Sequence, residues 1–329
     1  MSFDLPHADE YEQLAARFQQ FADDSTEYRA SKPRKKAKPA RAPAAPADDT
    51  AIKADDEFRT TYKPARYEEG FLRESLQPFV TQTLIADVIA LVKGGKEANV
   101  YLCQAAPHLD VKLIAAKVYR PRQFRNLRND VMYREGRELV NSQGIPIKNR
   151  DNREMRAIHK KTAFGAELTH VSWLSHEYLT LDRLHKLGAA VPKPISAGHN
   201  AILMGYVGDR SRPAPLLHAV TLAKRAAEPL CDEVLRNVEL MLSHGMIHGD
   251  LSAYNILYWE GKITLIDFPQ VTLSESNHNA YRIFQRDVRR VCEYFALQGV
   301  ERDADAITQR LWARYVRLAP DRTVQDVIY

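Results

Sequence analysis

The chain of 329 residues is poor in cysteine: Cys103, Cys231 and Cys292 are its only three. They are scattered, odd in number and without metal-ligand spacing, which argues against a zinc site or a disulfide framework. A reduced, cytoplasmic protein is the expectation. No run approaches the roughly 18 apolar residues that would cross a bilayer, so no membrane partner is expected. The first residues, MSFDLPHADEYEQ, lack the basic-then-apolar order of a secretory signal. No internal repeat is visible. Residues 29–41 contain no acid at all, but seven basic residues interleaved with proline and alanine. Such a stretch has little to bury and is expected to be disordered.

What is present suits a globular protein of two lobes, with 45% hydrophobic and 27% charged residues. The net charge of +5 is uneven, since residues 120–166 carry twelve Lys/Arg against five Asp/Glu. Basic segments of this kind are either solvated tails or grips for a polyanion such as RNA. Three regions are expected. Residues 1–70 hold a short helix, EYEQLAARFQQFA, and the basic linker. Residues 71–207 form a strand-rich lobe, and residues 208–329 a helical one. In the first lobe, FLRESLQPFVTQTL reads as a helix interrupted or preceded by a turn at Pro78. DVIALVKGGKEANVYLCQA reads as strand, glycine turn, strand, and LIAAKVYR as a third strand. The stretch 120–166 reads as partly helical and mobile. In SWLSHEYLTLDRLHKLG, Trp173, Leu174, Tyr178, Leu181 and Leu184 fall at helical spacing, with Gly188 past the end. VPKPISAGHNAILMGYVGD reads as a loop, a turn and one more strand. Two further helices are expected in LAKRAAEPLCDEVLRNVELMLSHG and AYRIFQRDVRRVCEYFALQG.

The strongest chemical signal is HGDLSAYNILYWEGKITLIDFPQ, residues 248–270. Asp250 and Asn255 share a short, turn-rich loop, and Asp267 ends an apolar strand. One carboxylate suits orienting a nucleophile. The amide oxygen and the other carboxylate are hard ligands suited to magnesium. Phosphoryl transfer needs mainly positioned reactants and cations on the charged oxygens. The plain alternative is a pair of Asx-turns and a capped strand end.

Two glycines in GGKEANVY, residues 94–101, allow backbone to approach phosphates, although this is not a Walker A sequence. By itself it reads equally as a hairpin turn. Lys117 is a cation among apolar neighbours, either snorkelling from a strand end or held in place by Glu177 on the following helix.

Together, GGKEANVY, AAKVYR, HGDLSAYN and LIDFPQ resemble the RIO family of atypical serine/threonine protein kinases, especially its type-1 branch, over roughly residues 76 to 300. The resemblance implies an α+β, bilobal protein-kinase-like fold, trimmed relative to ordinary kinases, behind a disordered N-terminal tail. It implies ATP with magnesium, manganese being an alternative ion. Lys117 would contact the α- and β-phosphates with Glu177 as its partner. Gly94, Gly95, Lys96, Glu97, Ala98 and Asn99 would form the loop over the phosphates. Met204, Tyr206 and Val207 would belong to the connector that meets adenine. Asp250 would be the catalytic base, Asn255 and Asp267 the metal ligands, and Asp287 the brace behind the catalytic loop.

Departures from ordinary protein kinases sharpen the expectation. Gly249 stands where they carry arginine, and Asp267-Phe268-Pro269 replaces their DFG. No APE-like segment follows, leaving little platform for an extended peptide. The resemblance therefore implies a serine/threonine kinase or ATPase that autophosphorylates and passes phosphate to an unidentified protein acceptor or to Asp267. It also implies a role in small-ribosomal-subunit maturation, with the basic segments meeting ribosomal RNA or ribonucleoprotein. Two other readings stand beside it: a small-molecule phosphotransferase of the aminoglycoside or choline kinase kind, and an ATP-dependent binding switch with incidental turnover.

Overall fold

The structure is a computed structural model, and it describes residues 58, 60–120, 152–160 and 162–316. The N-terminal helix and basic linker, and most of the basic stretch 120–166, lie outside the described residues.

The first lobe is a five-stranded antiparallel sheet in the order β1-β2-β3-β5-β4. Its strands are β1 (Ile85–Gly94), β2 (Ala98–Ala105), β3 (Leu113–Tyr119), β4 (Pro194–Ala197) and β5 (Ala201–Gly205). Side chains alternate across a strand. Thus Tyr101, Cys103, Ile114, Ala116, Val118, Ala201 and Leu203 face a core shared with helix α1 (Arg66–Thr81), which contributes Leu72, Leu76 and Phe79. Their neighbours Val100, Ala115, Lys117, Ile202 and Met204 face the opposite side, where the cleft lies.

Three features differ from the sequence expectation. Helix α1 runs unbroken through Pro78. Proline removes one intrahelical bond, and its place in the last turn limits the loss to that bond. The lobe also starts before residue 71, because Phe58 is buried in its core and Thr60 bridges to Val88. The segment before the connector forms two strands, β4 and β5, where one was expected; the glycine-containing turn between them is closed by Gly198 N–H donating to the Ala201 carbonyl.

Helix α2 (Asn152–His159) leads into helix α3 (Ala163–Lys186), whose N-terminus is capped by Thr162. Its apolar stripe serves both lobes. Trp173, Leu174 and Tyr178 pack on Tyr119 and Ile202 beneath the sheet, whereas Leu181 and Leu184 enter the second core. Burying each leucine contributes about 1.5–3 kcal/mol. Residue 177 is thereby fixed between the lobes. Gly188 follows at φ +78°, as its position past the helix end requires.

The second lobe is built on helices α4 (Lys224–Ser243), α5 (Ala280–Leu297) and α6 (Ala304–Tyr315). The last was not anticipated, although Asp303 accepts from Ala306 N–H as an ordinary N-cap. Short strand pairs join them: β6 (Met246–Ile247) with β9 (Thr272–Leu273), and β7 (Ile256–Trp259) with β8 (Lys262–Leu265). The β7–β8 hairpin turns on Glu260 and Gly261, both at positive φ, as a two-residue turn of this hand demands. That hairpin carries the chain from Asn255 to Asp267.

Candidate active site

A cavity of about 440 Å³ lies between the lobes. Val92, Val100, Ala115 and Ile202 give it an apolar wall from the first lobe, and Leu257 and Ile266 one from the second. Such an apolar slot with a few polar groups at one end suits a flat ring carrying charged substituents. Met204, Tyr206 and Val207 form its edge. The Tyr206 N–H donates to the Leu113 carbonyl, and Ala214 N–H donates to the Val207 carbonyl. The Val207 N–H makes no hydrogen bond among the described residues, leaving a donor for the edge of a bound ring.

The turn between β1 and β2 closes the other end. Gly95, Lys96, Glu97 and Ala98 line the cavity. Gly95 N–H donates to the Ala98 carbonyl at 2.9 Å, and a Cβ on Gly95 would lie 2.6 Å from that oxygen. Only glycine fits so tight a turn. Gly94 and Asn99 are not brought to the cavity. The side chain of Asn99 is buried on the α1 face, donating to Tyr101 and accepting from Arg120. Alternation along β2 accounts for this, since Asn99 shares its face with Tyr101 and not with Ala98 and Val100.

At the polar end, Lys117 Nζ donates to Glu177 Oε1 at 2.5 Å and to Asp267 Oδ1 at 2.6 Å. Tyr119, two residues along the same face of β3, donates its hydroxyl to Glu177 Oε2. Burial alone would depress the lysine, but the carboxylates of Asp267 and Glu177 outweigh it and hold its pKa well above the usual value. Burial raises the Glu177 pKa despite the lysine beside it. For Asp267 the desolvation is outweighed by Lys117, which holds the carboxylate below its usual range. Asp267 sits at φ +74°, an uncommon conformation for a residue with a side chain. It is fixed there by its neighbours: Ile266 N–H donates to the Asn255 carbonyl, and Phe268 is buried beneath against His248.

Asn255 completes this end. Its amide nitrogen donates to the Asp250 carbonyl at 2.8 Å and to Asp250 Oδ2 at 3.3 Å. Its amide oxygen takes no hydrogen bond among the described residues. The donor set fits magnesium: one amide oxygen and one carboxylate, with no cluster of three or more His, Cys, Asp or Glu ligands among the described residues. Magnesium is characteristically held by one or two protein oxygens together with substrate phosphates.

Asp250 stands at the mouth, outside the cavity lining, with its side chain 43% exposed. Helix α5 holds this part of the loop. Asp287 Oδ2 accepts from Gly249 N–H at 2.8 Å, and Arg286 donates to the Gly249 carbonyl. Burial raises the Asp287 pKa. Arg290 Nη1 donates to Asp250 Oδ1 at 2.9 Å. Gly249 lies at φ +85°, and a Cβ there would be 2.2 Å from the Gln270 carbonyl oxygen. The glycine before Asp250 and Gln270, three residues after Asp267, therefore form a single packed contact.

Sequence reasoning missed Tyr119 and Arg290. The first was reachable, because β3 alternation puts it on the face of Lys117. The second lies three residues past Asp287 on the same helix, but no local pattern marks it as the partner of Asp250.

Residues 132–307 match the RIO domain family. The chain belongs to that family. A RIO-type serine/threonine-protein kinase Rio1 of Haloferax volcanii is 30% identical over 219 residues, covering 66% of each chain. Serine/threonine-protein kinase RIO1 of Chaetomium thermophilum is 28% identical over 237 residues, 69% of this chain and 42% of the relative. Rio1 of Thermoplasma acidophilum is 32% identical over 137 residues, 42% of this chain and 70% of the relative. The alignment thus spans about two thirds of the haloarchaeal relative and under half of the Chaetomium one. The family match takes in α3 and the second lobe as far as the start of α6, so Glu177, Asp250, Asn255 and Asp267 fall inside the RIO domain match, and Lys117 precedes it. No helix among the described residues is long and apolar enough to cross a membrane.

Proposed function

We propose that this RIO-family chain is an ATP- and magnesium-dependent serine/threonine kinase that also hydrolyses ATP and phosphorylates itself. The observation that carries the reading is the Lys117 ammonium held between Glu177 and Asp267 at the polar end of an apolar slot. Adenine fits between Val100 and Ala115 on one side and Leu257 and Ile266 on the other, with the Val207 N–H at its edge. The backbone of residues 95–98 covers the phosphates, and Lys117, steadied by Glu177, neutralises them. Asn255 and Asp267 hold magnesium, which when bound neutralises charge on the phosphate oxygens and sets their orientation. Asp250 orients the acceptor hydroxyl and takes its proton as the new P–O bond forms and the bond to ADP breaks.

Lys117 engages Oδ1 of Asp267 and leaves Oδ2 for a metal, so the lysine and magnesium share the carboxylate once nucleotide enters. Calorimetric titration with ATP tests this. Tight binding is expected only with magnesium present, and Lys117→Met is expected to lose most of it. Equal affinity with and without magnesium would sink the metal assignment. We propose further a cytoplasmic location and a structured RNA of the small ribosomal subunit as partner, on the strength of the basic segments 29–41 and 120–166. Binding to structured RNA no tighter than that of a neutral control protein, at physiological salt, would remove that partner.

A further inference from the structure

We propose that Arg290 selects the acceptor: it admits serine or threonine hydroxyls that lie beside an acidic or phosphorylated side chain of a polypeptide. The inference rests on the kinase reading above and names its substrate class. Both oxygens of the Asp250 carboxylate are occupied in the acceptor-free protein, Oδ1 by Arg290 at 2.9 Å and Oδ2 by Asn255 at 3.3 Å. An acceptor hydroxyl that reaches Asp250 therefore arrives beside the guanidinium at Oδ1 or beside the Asn255 amide at Oδ2.

The other arginines of α5 near this loop are committed differently. Arg286 donates to the Gly249 carbonyl and to Asp287, and Arg289 pairs with Asp305. Arg290 has a single hydrogen-bonding partner among the described residues, Asp250, and its side chain is 40% exposed. A guanidinium carries five N–H donors in a planar fork matched to carboxylate and phosphate. Only one of those donors is used within the described residues, and the side chain is partly open to solvent at the mouth of the site.

The magnitude decides between a lock and a gate. An ion pair this exposed contributes little to stability, so the pair yields readily. A neutral acceptor that displaces it leaves the guanidinium with water alone. An anionic group next to the acceptor hydroxyl takes the guanidinium from Asp250 and is held within a side chain's reach of that carboxylate. The hydroxyl is then delivered where Asp250 can accept its hydrogen bond. Ordinary protein kinases place an arginine immediately before the catalytic aspartate. Here Gly249 occupies that position, and an arginine reaches the aspartate from helix α5 instead.

The test is a positional-scanning library of serine and threonine peptides, phosphorylated with radiolabelled ATP by the full chain, by Arg290→Ala and by Arg290→Lys, with peptide-free ATP hydrolysis measured alongside. For the full chain, aspartate, glutamate or phosphoserine at one or two positions is expected to lower KM about tenfold. Arg290→Ala should lose that preference with a much smaller change in kcat, and Arg290→Lys should recover part of it. A flat or basic preference in the full chain, or an acidic preference unchanged in Arg290→Ala, overturns the proposal. Hydrolysis without phosphorylation of any peptide overturns it as well. If a short mixed-sequence RNA binds through Arg290 while the peptide library stays flat, the acceptor-side anion belongs to nucleic acid and the polypeptide assignment fails. Absence of any Asp250-dependent phosphate transfer, to peptide, protein or water, refutes the kinase reading itself.

Discussion

Replacing Gly249 by alanine disturbs both halves of the site through a single added methyl group. The residue lies at φ +85° and its new Cβ would stand 2.2 Å from the Gln270 carbonyl oxygen. Two costs add. A side chain in the left-handed region costs about 1–2 kcal/mol, and relieving the overlap by moving backbone costs about 1–3 kcal/mol. The expected destabilisation is roughly 2–5 kcal/mol, or a fall in Tm of roughly 5–15 °C. Gly261 supplies the control: its φ is +76°, but nothing lies within 4 Å of its Cβ position. Gly261→Ala bears only the conformational cost, about 1–2 kcal/mol and roughly 2–8 °C. Activity separates the two further. The overlap pushes residues adjoining Asp250 and Asp267 apart, and displacement of reacting groups by about 1 Å costs on the order of 100-fold in rate. Thermal unfolding and steady-state ATP turnover of the two variants check this. If Gly249→Ala matches Gly261→Ala in Tm and keeps turnover within a few-fold of the parent, the contact between the two motifs is not what requires glycine here.

Other outcomes follow from the same geometry. Lys117→Met leaves Glu177 buried without its cation and should destabilise the nucleotide-free protein by about 3–5 kcal/mol, while Lys117→Met/Glu177→Gln should regain much of that in urea unfolding; equal stabilities would show the pair carries no net charge penalty. Asp287 has its pKa raised by burial above its ordinary 3.8. Its share of stability is therefore fully present below pH 3.8 and declines as pH rises through the raised value. Asp287→Asn should remove that slope, so the parent's advantage over the variant shrinks from acid to neutral pH in denaturant titrations; an unchanged slope would assign it to other groups. Tyr119→Phe removes the second hydrogen bond to Glu177 and should raise KM for ATP several-fold with little effect on kcat, an effect absent if the hydroxyl only fills space.

The parts of the site legible in the sequence were those fixed by local spacing. Asp250 and Asn255 share one short loop, and the WEGK turn of β7–β8 sets their distance from Asp267, so residue order nearly determines position. Lys117 and Glu177 were legible only as a pair, because a buried cation on a strand needs a carboxylate and α3 is the long apolar-striped helix that follows β3. Asn99 shows the limit of reading a loop as a contiguous block: strand alternation overrides adjacency and turns its side chain away. The break expected at Pro78 failed for an energetic reason. One lost hydrogen bond near a helix end is small beside the burial of Leu72, Leu76 and Phe79. Arg290 was missed although Asp287, three residues earlier on α5, was expected to brace the same loop; nothing in its neighbourhood marked it as the partner of Asp250.

Phosphate transfer from ATP labelled at the γ-position tests the central claim most directly, with the parent, Asp250→Asn and Asp267→Asn compared in the presence and absence of magnesium. The account predicts magnesium-dependent labelling of the parent that is stable to acid and labile to strong base, as phosphoserine is, and its loss by at least 100-fold in both variants. Label equally retained in Asp250→Asn and Asp267→Asn, or no transfer to protein or water by the parent with magnesium, would contradict it.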